Sequence, residues 1–240
     1  MASLIKSILV LLLFIAGLVI SPSLFLFSQM SKKKIIRSWS QLVLKALRIT
    51  IITNLNLEKF TKEKNYLIVS NHVSWLDIVI INSLSPVSFI ATKEIKRWPF
   101  INFLTFAANT IFIDRGSFNH LKKINYKIKQ ALEKTSVCFF PEGKAGDGFS
   151  VLPFKTNLFE SVAYSTYEVL PISIQYFQDK TPTLVCSYYG NINLFKSFFT
   201  IIKNNNLSAQ VTIHVPINNL KDRKSIARDA YLRIKHKTNT

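Results

Sequence analysis

The residues best suited to chemistry are a histidine and a carboxylate five positions apart, in Asn71-His72-Val73-Ser74-Trp75-Leu76-Asp77. They follow directly on Tyr66 to Ser70 (YLIVS), a short β-rich apolar run. In open α/β sheets, sites gather at the C-terminal ends of the strands, which is where this order puts His72. If the chain turns from strand to helix between them, the two side chains can meet across the turn. A carboxylate on imidazole Nδ1 fixes the tautomer and raises the basicity of Nε2. Such a pair can take a proton from a hydroxyl nucleophile. The same letters also have a purely structural reading. Ser74-x-x-Asp77 resembles a capping box, although Glu or Gln is the usual partner, and His72 could be a satisfied turn histidine.

A second constellation lies seventy residues on. Phe140-Pro141-Glu142-Gly143 follows the apolar run Val137 to Phe140, and Lys144, Gly146, Asp147 and Gly148 continue the loop. Gly143 and Gly146 let backbone N–H groups come close to a ligand. Between the two motifs, Arg115 closes Phe112-Ile113-Asp114-Arg115, again after a strand-like run. No metal site is indicated: the four histidines are scattered, and Cys138 and Cys186 form no CxxC or Cys/His pattern. The two cysteines read as small buried hydrophobes of a reducing compartment.

The elements that must position these residues read as an α/β domain. Tyr66–Ser70, Val87–Ala91, Thr110–Ile113, Val137–Phe140 and Val169–Ile174 are strand candidates, with Leu184–Tyr188 and Gln210–Val215 as later ones. Helix candidates are Trp75–Ser83, Pro99–Ala107, Phe118–Leu132 (with Ser117 as N-cap), Leu158–Tyr167 and Lys224–Lys235. Apolar strands alternating with helices predict a central, mostly parallel sheet flanked by helices.

The N-terminal residues differ from this body. No charge occurs between Ser7 and Ser31, and Ile8 to Ile20 is an apolar run. Thirteen helical residues cover only about 20 Å of a ~30 Å hydrocarbon core. Continuing to Phe27 reaches spanning length, but Pro22 kinks the path. The segment is thus either one bent span or a monotopic segment that turns near Pro22. It has the length of a signal-peptide core too, with Lys6 as a thin basic flank and no A-x-A site. Lys32-Lys33-Lys34 and Arg37 come next, which makes this side cytoplasmic under the positive-inside rule. Ile36, Trp39, Val43, Leu47 and Ile51 form a helical stripe over 35–52, read as an amphipathic helix in the headgroup layer or as a core helix of the body. These readings give a membrane anchor over 1–57, with a hydrophobic segment at 7–31, and a catalytic domain over 58–240. The chain carries 31 Lys and Arg against 13 Asp and Glu, net +18, so an anionic partner is expected. No aromatic-and-basic module of a nucleic-acid binder is present, which leaves a membrane surface as the partner and not nucleic acid. Seven basic residues crowd Lys221 to Lys237, with Ile226, Ala227, Tyr231 and Ile234 placed to pack inward.

Taken together, the sequence resembles the glycerolipid acyltransferases of the 1-acylglycerol-3-phosphate acyltransferase type. Asn71-His72-x4-Asp77, Phe112-Ile113-x-Arg115, Phe140-Pro141-Glu142-Gly143 and Val169-Leu170-Pro171-Ile172 occur in that family's order and at similar intervals. Lys93-Glu94 and Trp98-Pro99 look familiar from it as well. The resemblance covers roughly Asn65 to Tyr189. It implies that His72 is general base on a lysolipid hydroxyl, with Asp77 orienting it and no acyl-enzyme formed. It further implies that Arg115 holds an anionic headgroup and that Glu142 and Gly143 shape the acceptor site. The donor would be acyl-CoA or acyl carrier protein, a co-substrate, and no cofactor is implied. Where the family pattern continues with threonine and a phosphate-binding arginine, this chain has Lys144 and Ala145; Lys144 and Lys93 are point charges that could stand in for it. The run Gly146-Asp147-Gly148, then Val151 to Lys155, is more similar to the branch containing lyso-ornithine lipid acyltransferases. A catalytically idle lipid-binding relative on the same scaffold is the alternative of another class.

Overall fold

A computed structural model describes residues 2–92, 110–113, 118–218 and 221–238. Two helices open the chain, α1 (Ala2–Ile20) and α2 (Gln29–Leu47). Then come β1 (Thr50–Thr53), α3 (Leu57–Glu63), β2 (Tyr66–Ser70), α4 (Leu76–Leu84), β3 (Ser88–Thr92) and β4 (Ile111–Ile113). The second half runs α5 (Phe118–Leu132), β5 (Val137–Phe139), β6 (Glu168–Gln178), β7 (Thr181–Pro182), α6 (Leu194–Lys203), β8 (Leu207–Ile213) and α7 (Arg223–Thr238).

The strands form one sheet in the order β1-β8-β6-β2-β5-β3-β4, with β7 hairpinned onto β6. From β6 to β4 every neighbouring pair is parallel; β8 runs antiparallel to β6, and β1 is parallel to β8. β2 lies at the centre, with Leu67 opposite Val137 on one side and Val169 on the other. All five of its residues are buried, as expected of a parallel strand covered on both faces. Its alternate side chains feed two cores. Tyr66 and Ile68 join Leu76, Ile80 and Trp39 under α1, α2 and α4, while Leu67 and Val69 join Ile124, Ile128, Ile226 and Ile234 under α5 and α7. The α/β sheet flanked by helices is therefore as expected.

Several boundaries moved, each for a local reason. The helix expected over 35–52 ends at Leu47, because Arg48 takes a left-handed conformation (φ 55°) that stops it. Ile51 then lies in β1, so residues before position 58 supply an edge strand to the sheet. The stripe Ile36, Trp39, Val43 and Leu47 is buried within the protein and not turned to a headgroup layer. Trp39 donates from Nε1 to the Leu13 carbonyl (2.9 Å) and meets Phe14 edge-on at 5.5 Å. Leu184–Tyr188 is a turn, closed by Ser187 N–H to the Leu184 carbonyl, and not a strand. Leu158–Tyr167 forms only the 3₁₀ turn Asn157–Ser161, and Tyr164 is left-handed (φ 54°). Pro99–Ala107, Lys93-Glu94, Trp98-Pro99 and Ser117 lie outside the described residues.

Between α1 and α2 the chain doubles back through a 3₁₀ turn, Ser21–Leu26, that carries Pro22 at its start. Ser3–Leu24 is long and apolar enough to cross a membrane by length and composition. On α1, Val10 and Phe14 are buried, while Leu4, Ile5, Leu12 and Val19 are exposed. Lys6 is buried at the other end of this helix, donating to the Asn204 carbonyl and Asn205 Oδ1, both at 2.9 Å.

Candidate active site

Past the end of β2, Asn71 continues the strand pairing with its side chain. Its Nδ2 donates to the Ile174 carbonyl and its Oδ1 accepts the Ile174 N–H, both at 2.8 Å. This ties the chain to β6 at the point where it must bend. His72 to Trp75 then form an irregular turn into α4. Asp77 sits in the first turn of α4 and is fully buried.

Four donors converge on its carboxylate. Oδ2 accepts from His72 Nδ1 (2.8 Å), Val73 N–H (2.8 Å) and Ser74 N–H (2.9 Å), and Oδ1 accepts from Tyr176 Oη (2.7 Å). The same Asp77 oxygen therefore serves the backbone of the turn and the imidazole. An ionised carboxylate only accepts, so the proton of a neutral His72 resides on Nδ1 and the Nε2 lone pair is left for chemistry. Burial, then the Asp77 charge, hold the Tyr176 phenol well above its ordinary value, so it stays a donor. The His72 side chain is 22% exposed, which gives it access to a ligand. Its ring stacks on Phe140 at 4.1 Å and 15°.

The second motif closes on the first. β5 ends at Phe139, and Gly143 (φ 74°) closes the turn with its N–H on the Phe140 carbonyl. Glu142 is buried, and both its oxygens face backbone: Oε1 accepts His72 N–H (2.6 Å) and Oε2 accepts Leu152 N–H (2.7 Å). Burial pushes its carboxyl up to about 7, against the pull of these two bonds. Gly146 N–H donates to the His72 carbonyl (2.7 Å), and Ser187 Oγ to the Gly146 carbonyl (3.0 Å). Tyr188 N–H takes the Val73 carbonyl (2.7 Å). A Cβ on Gly148 (φ 86°) would stand 2.9 Å from Val73 Cγ1, so the loop reaches Val73 only because this residue is glycine.

The structure thus gathers His72, Asp77, Glu142 and Gly143 at one edge of the sheet, with Lys144 exposed on the same loop. Lys93 and Arg115 lie outside the described residues. Sequence reasoning missed three members. Tyr176 lies beyond the expected strand Val169–Ile174 and carries no motif signal, and Asn71 is read only as a motif letter. Lys155, whose ammonium lies beside Gly143, carries no spacing signal. Cys186 is buried close by with its thiol pushed up to about 12 by burial, so it is an inert filler. Among the described residues no cluster of His, Cys, Asp or Glu is arranged to hold a metal ion.

Residues 51–175 match the family model described as Acyltransferase. The 1-acyl-sn-glycerol-3-phosphate acyltransferase of Neisseria gonorrhoeae is 34% identical over 146 residues, 60% of this chain and 57% of that protein. The lyso-ornithine lipid O-acyltransferase of Pseudomonas aeruginosa is 30% identical over 164 residues, 68% of this chain and 63% of that protein. The chain spans less than two thirds of the length of either relative. The crystal structure of the 1-acyl-sn-glycerophosphate (LPA) acyltransferase PlsC from Thermotoga maritima has the same fold, with a TM-score of 0.67 at 20% identity over 97% of this chain and 96% of that one. The family match runs from β1 into β6 and takes in both His72–Asp77 and Phe140–Gly143, over more than half the sequence; this chain belongs to the Acyltransferase family.

Proposed function

We propose that the chain is a membrane-associated O-acyltransferase that moves an acyl group from acyl-CoA or acyl carrier protein to a lysolipid hydroxyl. Its acceptor is 1-acyl-sn-glycerol-3-phosphate, and its product phosphatidic acid. The observation that carries this reading is the 2.8 Å contact of a partly exposed His72, through Nδ1, with a fully buried Asp77. His72 Nε2 takes the acceptor hydroxyl proton as the oxygen attacks the thioester carbonyl carbon. Collapse of the tetrahedral intermediate breaks the C–S bond, and the thiolate regains the proton from the imidazolium, whose charge Asp77 balances. Glu142 and Gly143 keep His72 in place, while Lys144, Lys155, Lys93 and Arg115 supply positive charge for the acceptor's phosphate. Residues 1–57 hold the body against the cytoplasmic face of an anionic bilayer, through the exposed side of α1 and the Lys32–Lys34 cluster.

A second acceptor is supported by a specific observation. Lys144-Ala145 stands where a bidentate arginine would grip a phosphomonoester, and a lysine offers only a point charge there. The Pseudomonas relative named for lyso-ornithine lipid covers more of this chain than the Neisseria protein does. The deciding experiment is acyl transfer by detergent-solubilised protein from a labelled thioester, with lysophosphatidic acid and lyso-ornithine lipid in parallel and His72→Ala as control. Transfer to lysophosphatidic acid that depends on His72 is expected. Transfer to lyso-ornithine lipid alone would replace the acceptor. No His72-dependent transfer to either would favour a lipid-binding protein without catalysis.

A further inference from the structure

At the opposite edge of the sheet, the first turns of α2 meet α3, the Ser85–Ser88 connection and the end of α5 around a cavity of about 830 Å³. Lys32, Lys33, Lys34, Arg37, Lys62 and Lys134 line it, and Glu58 is the acid among them. Glu58 is already engaged: Arg37 pairs with one carboxylate oxygen and Lys62 with the other, the latter at 3.0 Å. Among the described residues no carboxylate pairs with Lys32, Lys33, Lys34 or Lys134. Burial pulls the Lys33 ammonium below its ordinary lysine value, an uncompensated cost that a bound anion would offset. The cations stand on the N-terminal turns of a 19-residue helix whose first turn holds no acid, so the helix dipole adds to their field.

The cavity is not part of the His72 site. Tyr66, at the start of β2, bonds Ser136 beside the cavity, and His72 follows the opposite end of that strand, about 13 Å further along. Met30 lines the cavity and is 71% exposed, and Leu26 and Phe27, just before it in the sequence, are exposed apolar residues as well. A cationic hollow with an exposed methionine at the α1–α2 turn matches an anionic head joined to an apolar tail.

We infer that this cavity is a second, non-catalytic site for a phosphate group, the chemistry shared by a phospholipid headgroup and a free phosphate anion. A phospholipid would place its phosphodiester among Lys32, Lys33 and Lys134 and lead its chains out over Met30 and Phe27.

The test is native mass spectrometry of the full-length protein released from detergent, titrated with phosphatidylglycerol or with phosphatidylcholine. A parallel arm follows thermal unfolding with inorganic pyrophosphate. Phosphatidylglycerol is expected to be retained more tightly than phosphatidylcholine. Lys32→Ala with Lys33→Ala should lower that retention about thirtyfold, at about 1 kcal/mol or five- to sixfold for each charge. Lys32→Arg with Lys33→Arg should keep it. If the double alanine variant does not fold, Lys134→Ala carries the test. Saturable stabilisation by pyrophosphate that the variant loses, without a lipid preference, identifies the free anion as the ligand. Equal retention of both lipids together with no effect of pyrophosphate overturns the site, as does full phosphatidylglycerol retention in the alanine variants. Acyl transfer is not the readout, so the outcome is separate from that of the catalytic proposal.

Discussion

Asp77→Asn separates the charge of the carboxylate from its hydrogen bonds. Asn can keep an oxygen where Oδ2 lies, accepting from His72 Nδ1, Val73 N–H and Ser74 N–H, and turn its NH₂ toward Tyr176 Oη, which can accept once its own proton rotates away. All four contacts are then remade, so the fold should persist and the His72 tautomer should not change. What is lost is the negative charge facing the imidazolium that forms as the hydroxyl proton is taken. At an effective dielectric of about 20 and roughly 4 Å between charge centres, that interaction is worth about 4 kcal/mol. The turnover rate should therefore fall roughly a thousandfold. Asp77→Ala is a different perturbation. It strands two buried N–H groups and the Tyr176 hydroxyl, at about 1–3 kcal/mol each, and should unfold or nearly unfold the protein. The assay is single-turnover acyl transfer beside thermal unfolding for both variants. An Asn variant at the wild-type rate would refute the electrostatic role. An Asn variant as unstable as the Ala variant would refute the hydrogen-bond reasoning.

Glu142 predicts a pH dependence. Its carboxyl lies at about 7 in the fold against an ordinary value of 4.5, so below pH 4.5 it is protonated in folded and unfolded chains alike and adds no slope. Between pH 4.5 and 7 the unfolded chain sheds the proton and the folded one keeps it, so stability should fall by up to about 3 kcal/mol as pH rises. Glu142→Gln should flatten that slope in urea titrations, and a slope left intact assigns it to another group. Gly148→Ala should cost about 1–3 kcal/mol and lower acyl transfer, because its Cβ drives Val73 and with it His72; Gly190→Ala, left-handed but in open space, should cost less and leave the rate unchanged. Removing residues 1–57 should leave no folded protein by circular dichroism, since it takes β1 and the buried face of α2. Removing 1–27 should leave a folded body that floats less with anionic vesicles. A folded, active protein lacking 1–57 would contradict the packing of α2 on the core.

The His72–Asp77 contact was legible because its spacing encodes a strand end and a helix start, which local letters determine. β2, α5 and the approximate extents of β3, β5 and α4 were legible for the same reason: each is an unbroken apolar run or a clean 3.6-residue stripe. Where the sequence misled, non-local packing decided. Ile36, Trp39, Val43 and Leu47 form the same stripe whether they face lipid or α1, and only the partner's position tells which. Thr50 to Thr53 is too short to signal a strand, and it becomes one because Ser208 to Val211 lie beside it. Tyr176 was hidden because the strand expected to end at Ile174 runs on to Gln178, and only the fold brings its hydroxyl to the buried Asp77. Leu184 to Tyr188 has strand letters but is spent on a turn that pins Gly146 through the Ser187 hydroxyl and Val73 through the Tyr188 N–H.

The pairing of β1 with β8 sets the order in which the protein can be completed during synthesis. Thr50 waits for Ser208, 158 residues later, and Lys6 waits for Asn204 and Asn205. At ribosomal rates of about 5–20 residues per second, that gap lasts on the order of ten to thirty seconds. Through it, the apolar side of α1 is outside the exit tunnel while its late partners, Phe198 against Phe14 and Asn204 and Asn205 at Lys6, are not yet made. A nascent chain in that condition is a client for whatever apolar surface it meets first. On the proposed function, arrival at the bilayer is expected during translation, before the sheet closes, and a chain kept from lipid over that interval is expected to aggregate.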